Sequence, residues 1–167
     1  DSEGNTIYNN DKRKCTNCDE ISYLGSDFPE IKNNYKQIFS SETAYQMTSI
    51  LEGVVQRGTA KKLKDLKLNI AGKTGTTNKN TDTWFIGFTS NLLVGVYVGS
   101  DNPTSLGKYE TGSKTALPIF KSFIKDSVKK YDARPFKAAK ETIMMVVDPL
   151  TGQKAKFSSK NTIIEVF

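Results

Sequence analysis

Residues 69–77 read NIAGKTGTT, and the tripeptide Gly72-Lys73-Thr74 within them could close a phosphate-binding loop. That loop follows the pattern G-x-x-x-x-G-K-[ST], which puts its first glycine at position 67. Position 67 is Lys67, and the preceding DLKLNI is not the strand such a loop follows. After Thr74 a helix should begin and turn its N–H groups towards phosphate. Instead Gly75, Thr76 and Thr77 are poor helix formers, and Asn78-Lys79-Asn80 reads as a turn. The nucleotide reading fails. What remains is a bare Lys-Thr-Gly, a weak signal by itself because all three residue types are common.

The chain has no histidine. Ser-His-Asp hydrolysis, Cys-His proteolysis and imidazole-based metal sites are therefore outside its own means. Its two cysteines form one C-x-x-C, Cys15-Thr16-Asn17-Cys18, in a polar stretch read as a turn. Half a zinc set in a turn favours a local disulfide in an oxidising compartment over a metal site or two idle thiols. Ser-x-x-Lys strings occur at Ser105–Lys108, Ser122–Lys125 and Ser127–Lys130, and a Ser-x-Asn at Ser159–Asn161. All follow Lys73 in a lysine-rich chain and are read as solvated surface.

The elements that must position Lys73 follow from periodicity. Ser40 or Ser41 can cap a helix with Ala44, Met47, Leu51, Val54 and Val55 on one stripe and Gly58 as its stop. Residues 84–88 and 92–99 are β-rich runs joined by Thr89-Ser90-Asn91, the spacing of an antiparallel hairpin with one buried face. A glycine-bearing loop over 101–113 leads to a helix carrying Ile119, Phe120, Phe123, Ile124 and Val128 on one side, with Pro118 in its first turn. Residues 70–77 then form the edge strand of an antiparallel sheet. Alternation places Lys73, Gly75 and Thr77 on one face and Thr74 and Thr76 on the other. Gly75 admits a close backbone approach, and a free strand edge offers N–H groups to an extended peptide or an oxyanion.

Three segments emerge: a polar hairpin or insertion over 1–39 with the C-x-x-C and a strand at 6–9; the helix, lysine strand, hairpin and second helix over 40–134; and a β tail over 135–167. In the tail, two short strands flank a turn from Asp148-Pro149 to Gly152 before a last run TIIEVF. The fold class is α+β, an antiparallel sheet packed with helices. The net charge is +6. Neither the cluster Lys61, Lys62, Lys64 and Lys67 nor the pair Lys129 and Lys130 carries the interleaved aromatics of a nucleic-acid module, so no nucleic-acid partner is expected. No apolar run approaches the roughly 20 residues of a membrane span. The opening DSEGNTIYNND reads as the interior of a longer protein.

Four blocks together resemble the transpeptidase domain of class A (bifunctional) penicillin-binding proteins. They are TAYQMTSILEGVVQRGTA (43–60), AGKTGTTNKNTDTWFIGFT (71–89), VGVYVGSDNP (94–103) and TGSKTALPIFKSF (111–123), in family order. The resemblance implies the C-terminal portion of that domain, in the fold of penicillin-recognising serine transpeptidases. In the family a serine in Ser-x-x-Lys attacks the D-alanyl-D-alanine carbonyl, Ser-x-Asn assists proton transfer, and Lys-Thr-Gly completes the cleft. Neither of the first two strings precedes Lys73 here, so the chain would carry one wall of the site without the nucleophile.

The resemblance further implies that Lys73 holds the Ser-x-Asn hydroxyl and the substrate carboxylate. Thr74, Gly75 and Thr76 would line the substrate. The Thr76 hydroxyl would bind that carboxylate, and its backbone N–H would be half of the oxyanion hole. Because Lys73 and Thr76 alternate to opposite faces, these roles imply a local twist or bulge. The resemblance implies no metal and no organic cofactor, and its implied partners are peptidoglycan stem peptides, β-lactams and the rest of the transpeptidase domain, on the periplasmic face of a bacterial inner membrane. Contact with the membrane would come only through an anchor outside this chain. Alternatives are a serine β-lactamase or D,D-carboxypeptidase fragment, or a non-catalytic binding module.

Overall fold

The structure is a computed structural model that describes residues 14–16, 30–32, 36–102, 104–127, 134–156, 159 and 161–167. The chain divides into two units, residues 1–40 and 41–167. In the first, strands β1 (Lys14–Thr16) and β2 (Glu30–Lys32) pair antiparallel, with Cys15 opposite Ile31. Cys15 thus lies mid-strand and not in a turn, because its backbone is taken up in the ladder. Cys18, the strand expected at 6–9, Val128, Lys129 and Lys130 lie outside the described residues, as does the proposed disulfide.

The second unit begins with α1 (Ser41–Gln56), followed by a 3₁₀ helix over Lys61–Leu66. Strand β3 (Ala71–Thr76) leads through a short 3₁₀ turn (Asn78–Asn80) into β4 (Thr83–Phe88) and β5 (Leu93–Val98). Helix α2 (Ala116–Ser127) and strands β6 (Met144–Val147) and β7 (Ile163–Val166) complete it. The expected antiparallel sheet packed with helices is present, in the order β3-β4-β5. Among the described residues no helix is long and apolar enough to cross a membrane.

The hairpin forms as its alternation requires. Thr83, Phe85 and Gly87 of β4 are buried, while Trp84 and Ile86 are exposed. The connection is closed by the Thr89 N–H, which donates to the Leu92 carbonyl at 2.8 Å. The Thr89 hydroxyl accepts from the N–H groups of Asn91 and Leu92. Phe85 meets Phe120 edge-to-face at 4.7 Å between centroids. Around this pair, Val55, Leu63, Ile70, Leu117 and Ile124 form the core beneath the sheet. Burying a ring of this size stabilises by about 1.5–3 kcal/mol, which is why α2 is fixed to this face.

Both helices bury less of their apolar stripes than expected. In α1 the buried positions are Gly53 and Val55, with Leu51 and Val54 partly covered; Ala44 is exposed and Met47 is 54% exposed. Only the C-terminal half of α1 meets core. In α2, Ala116, Leu117, Phe120 and Ile124 are buried, whereas Ile119 and Phe123 are 52% and 48% exposed. Gly58 ends α1 by a close approach: a Cβ there would stand 2.8 Å from the Val54 Cα. Its φ is not positive, so the left-handed cap that glycine often provides is not used.

In the tail, β6 takes β7 as its main partner, with Val146 opposite Ile164. Among the described residues, the segment after the turn contributes an isolated bridge, Val147 to Lys154, and no second strand beside the turn. The turn itself is as read: Gly152 has φ +70, and the Asp148 carboxylate accepts from the Leu150 N–H at 2.8 Å. Arg57, just beyond α1, pairs with Glu165 of β7.

Candidate functional site

Strand β3 carries Lys73-Thr74-Gly75-Thr76 at the edge of the described sheet. Its register with β4 is unbroken, from Ala71 opposite Phe88 to Thr76 opposite Thr83. The bulge implied by the resemblance is therefore absent. Lys73 and Gly75 pair with Ile86 and Trp84 on the outer face. Thr74 and Thr76 pair with Phe85 and Thr83 on the face that α2 covers.

The strand edge removes the need for a bulge. Extended Thr77 donates its N–H to the Asp82 carbonyl at 3.0 Å. Alternation then turns the N–H groups of Thr74 and Thr76 away from β4, towards the free edge. Side chains from both faces can reach a ligand lying along that edge. The exposed Lys73 ammonium curls this way, donating to the outward Thr74 carbonyl at 2.9 Å.

Each threonine hydroxyl is held by a residue outside the motif. The Thr74 hydroxyl lies 3.0 Å from that of Thr59, just past α1. The Thr76 hydroxyl accepts the Gly112 N–H at 3.1 Å, from the loop before α2. Gly75 also differs from expectation. A Cβ on Gly75 would meet the Trp84 Cβ at 3.3 Å, so its own open side faces an aromatic side chain. The close backbone approach comes instead from Gly112, on the other face.

The β3–β4 turn is built around Asp82. Its carboxylate accepts from the hydroxyls of Tyr97 at 2.8 Å and Thr81 at 2.9 Å, and from Thr77 at 3.3 Å. These bonds, with Tyr97 the largest, hold the Asp82 carboxyl below the usual carboxylate range. The same bond raises the Tyr97 phenol above its ordinary value. Asn80, in left-handed backbone at φ +54, donates its amide to the carbonyls of Gly107 and Lys108, at 2.9 Å each. The Leu106 N–H returns a bond to the Asn80 carbonyl at 2.8 Å. The turn and the loop over 104–115 are therefore one hydrogen-bonded assembly beside the end of β3.

The other serine–lysine strings are not assembled. Ser105, Lys108, Ser122, Lys125 and Ser127 are all exposed, and Lys130 and Lys160 lie outside the described residues. Lys61, Lys62, Lys64 and Lys67 are exposed as well. No cluster of three or more metal-ligating side chains occurs among the described residues. Sequence reasoning missed Thr59, Asn80, Asp82 and Gly112 as parts of the site. The only local signal was glycine at 112, beside Thr111 at the approach to a helix.

Comparison with known proteins gives the following. The family model described as penicillin binding protein transpeptidase domain matches residues 18–125. Penicillin-binding protein 1A of Rickettsia bellii is 41% identical over 169 aligned positions, covering 100% of this chain and 21% of that protein. Penicillin-binding protein 1A of Pseudomonas aeruginosa is 36% identical over 133 positions, covering 79% of this chain and 16% of that protein. The crystal structure of penicillin-binding protein 1A from Haemophilus influenzae superposes with a TM-score of 0.70 at 28% identity, covering 80% of this chain and 22% of that one. The chain thus spans about a fifth of the length of these relatives.

Proposed function

Because the chain belongs to the penicillin-binding protein transpeptidase family, we propose that it forms one wall of a D,D-transpeptidase site. The wall binds the terminal carboxylate of a peptidoglycan stem peptide, or of a β-lactam in its place. The observation that carries the reading is the outward edge of β3. There the Lys73 ammonium reaches the Thr74 carbonyl, the Thr76 N–H faces outward, and the hydroxyls of Thr74 and Thr76 are each held by a partner, with no break in the ladder.

In this reading the whole protein supplies a serine nucleophile from a segment preceding Asp1. The serine oxygen attacks the penultimate D-alanine carbonyl, and the displaced electron pair resides on the carbonyl oxygen. The Thr76 N–H, with the serine's own N–H, holds that oxyanion. Collapse breaks the C–N bond and expels the terminal D-alanine, whose nitrogen takes up the proton that the serine gave up, and leaves an acyl-serine. A second stem peptide's amine takes the acyl group and forms the crosslink. Lys73 keeps a fixed positive charge beside the carboxylate and the Ser-x-Asn hydroxyl, and Thr76 donates its hydroxyl proton to the carboxylate. Serine, lysine and hydroxyl groups suffice, so no metal or cofactor is assigned. The protein works at the periplasmic face of the inner membrane, through an anchor outside this chain.

The test is acylation by a fluorescent penicillin. The full-length protein should form a stoichiometric covalent adduct whose labelled peptide contains a Ser-x-x-Lys upstream of Asp1. The 167-residue chain alone should form none. An adduct on Ser105, Ser122 or Ser127 in either protein would overturn the assignment.

A further inference from the structure

We propose that Gly112 is a positioning residue for the carboxylate-binding hydroxyl of Thr76: by donating its N–H to that oxygen, it leaves the hydroxyl proton as the group that faces the ligand. The proposal rests on the reading of Thr76 just given. A hydroxyl has one donor and two acceptor lone pairs, and its proton rotates to suit its surroundings. With the Gly112 N–H on one lone pair at 3.1 Å, the proton is directed elsewhere. The hydroxyl is then ready to donate to an anion instead of turning to face a backbone carbonyl.

Only glycine can deliver the N–H to this place. A Cβ on Gly112 would stand 2.5 Å from the Trp84 carbonyl oxygen and 2.7 Å from that of Gly75. Both oxygens belong to paired strands, where Gly75 lies opposite Trp84, so neither can yield without opening the ladder. Any larger residue must lift the loop off β3 and lengthen the bond to Thr76. Two anchors keep the loop down. On one side, Asn80 holds Gly107 and Lys108 through its side-chain amide. On the other, the Gly112 carbonyl accepts the Leu117 N–H at 2.8 Å, and Thr115 pairs with buried Thr83 at 2.6 Å. The hydroxyl's direction is thus set through the loop by α2 and by the β3–β4 turn.

The experiment measures the second-order acylation rate by benzylpenicillin in the full-length protein, with Gly112→Ala, Thr76→Val, Thr76→Ser and the double variants. Gly112→Ala should slow acylation about 10-fold or more, the size of one hydrogen bond to a charged group. In the Thr76→Val background it should add almost nothing, since no hydroxyl remains to be oriented. Thr76→Ser, which restores the hydroxyl, should restore the effect. Asn80→Asp keeps the left-handed backbone and the side-chain shape but loses the amide donor. It should give the same dependence on Thr76 at smaller size, and it serves if Gly112→Ala fails to fold. Full additivity of the Thr76 and loop substitutions would overturn the proposal, as would wild-type rates in Gly112→Ala. A wild-type protein that no β-lactam acylates would instead bring down the function on which the proposal stands.

Discussion

Strand β3 and helix α2 each present a lysine within a short motif, and among the described residues only the motif on β3 is bonded by residues from elsewhere in the second unit. Ser122 and Lys125 on α2 project into solvent, and the helix is held by Leu117, Phe120 and Ile124 on its other side. The Lys73–Thr76 string is bonded by Thr59 and Gly112, which come from other parts of the chain. Both strings offer a lysine and a hydroxyl. What distinguishes a site is convergence: fixed partners hold each polar group and leave it one free direction.

That contrast can be broken in order of expected effect. Phe120→Ala removes the inner ring of α2 and should cost about 3–5 kcal/mol of unfolding free energy, measured by denaturation of the full-length protein. A loss below about 1 kcal/mol would mean that α2 is not anchored through this ring. Lys73→Ala should slow acylation of the full-length protein by β-lactams about 10- to 100-fold, with Lys73→Arg recovering part of it. Stopped-flow rates at the wild-type value would remove Lys73 from the site.

The Asp82–Tyr97 pair gives a smaller, pH-dependent effect. The Asp82 carboxyl is depressed in the folded state, so its contribution is present above the unfolded value of about 4 and is lost as pH falls through the folded one. Tyr97 is raised, so its contribution is present below about 10 and is lost as pH rises through its folded value. Asp82→Asn should therefore flatten the acid limb of a melting-temperature profile and leave little change between variants at the lowest pH. An acid limb as steep as the wild type's would show that this carboxylate is not a contributor. Lys125→Ala should do least: acylation unchanged, and stability within about 0.5 kcal/mol. A slowed acylation here would reverse the comparison.

Much of this was written locally. The alternation of Thr83, Phe85 and Gly87 with Trp84 and Ile86 fixed the hairpin and its buried face, because a pleated strand has period two whatever surrounds it. The same rule placed Lys73 and Thr76 on opposite faces before any coordinates, and the edge-strand position of Lys-Thr-Gly followed from the hairpin beside it. Periodicity also found both helices. It could not say how far their apolar stripes would be covered, because exposure of Met47, Ile119 and Phe123 depends on which elements lie opposite. The partners of the motif were hidden for a stronger reason. Thr59 is 15 residues from Thr74, and Gly112 is 36 residues from Thr76. No helical or strand period links positions so far apart. A hydrogen bond of this kind exists only once packing of Phe85 against Phe120 has set α2, and the loop before it, over the end of β3. Local pattern is enough to place Lys73, Thr74 and Thr76 on one edge strand, because a strand needs only its own alternation and its neighbour; only the packed chain brings Thr59 and Gly112 to the two hydroxyls.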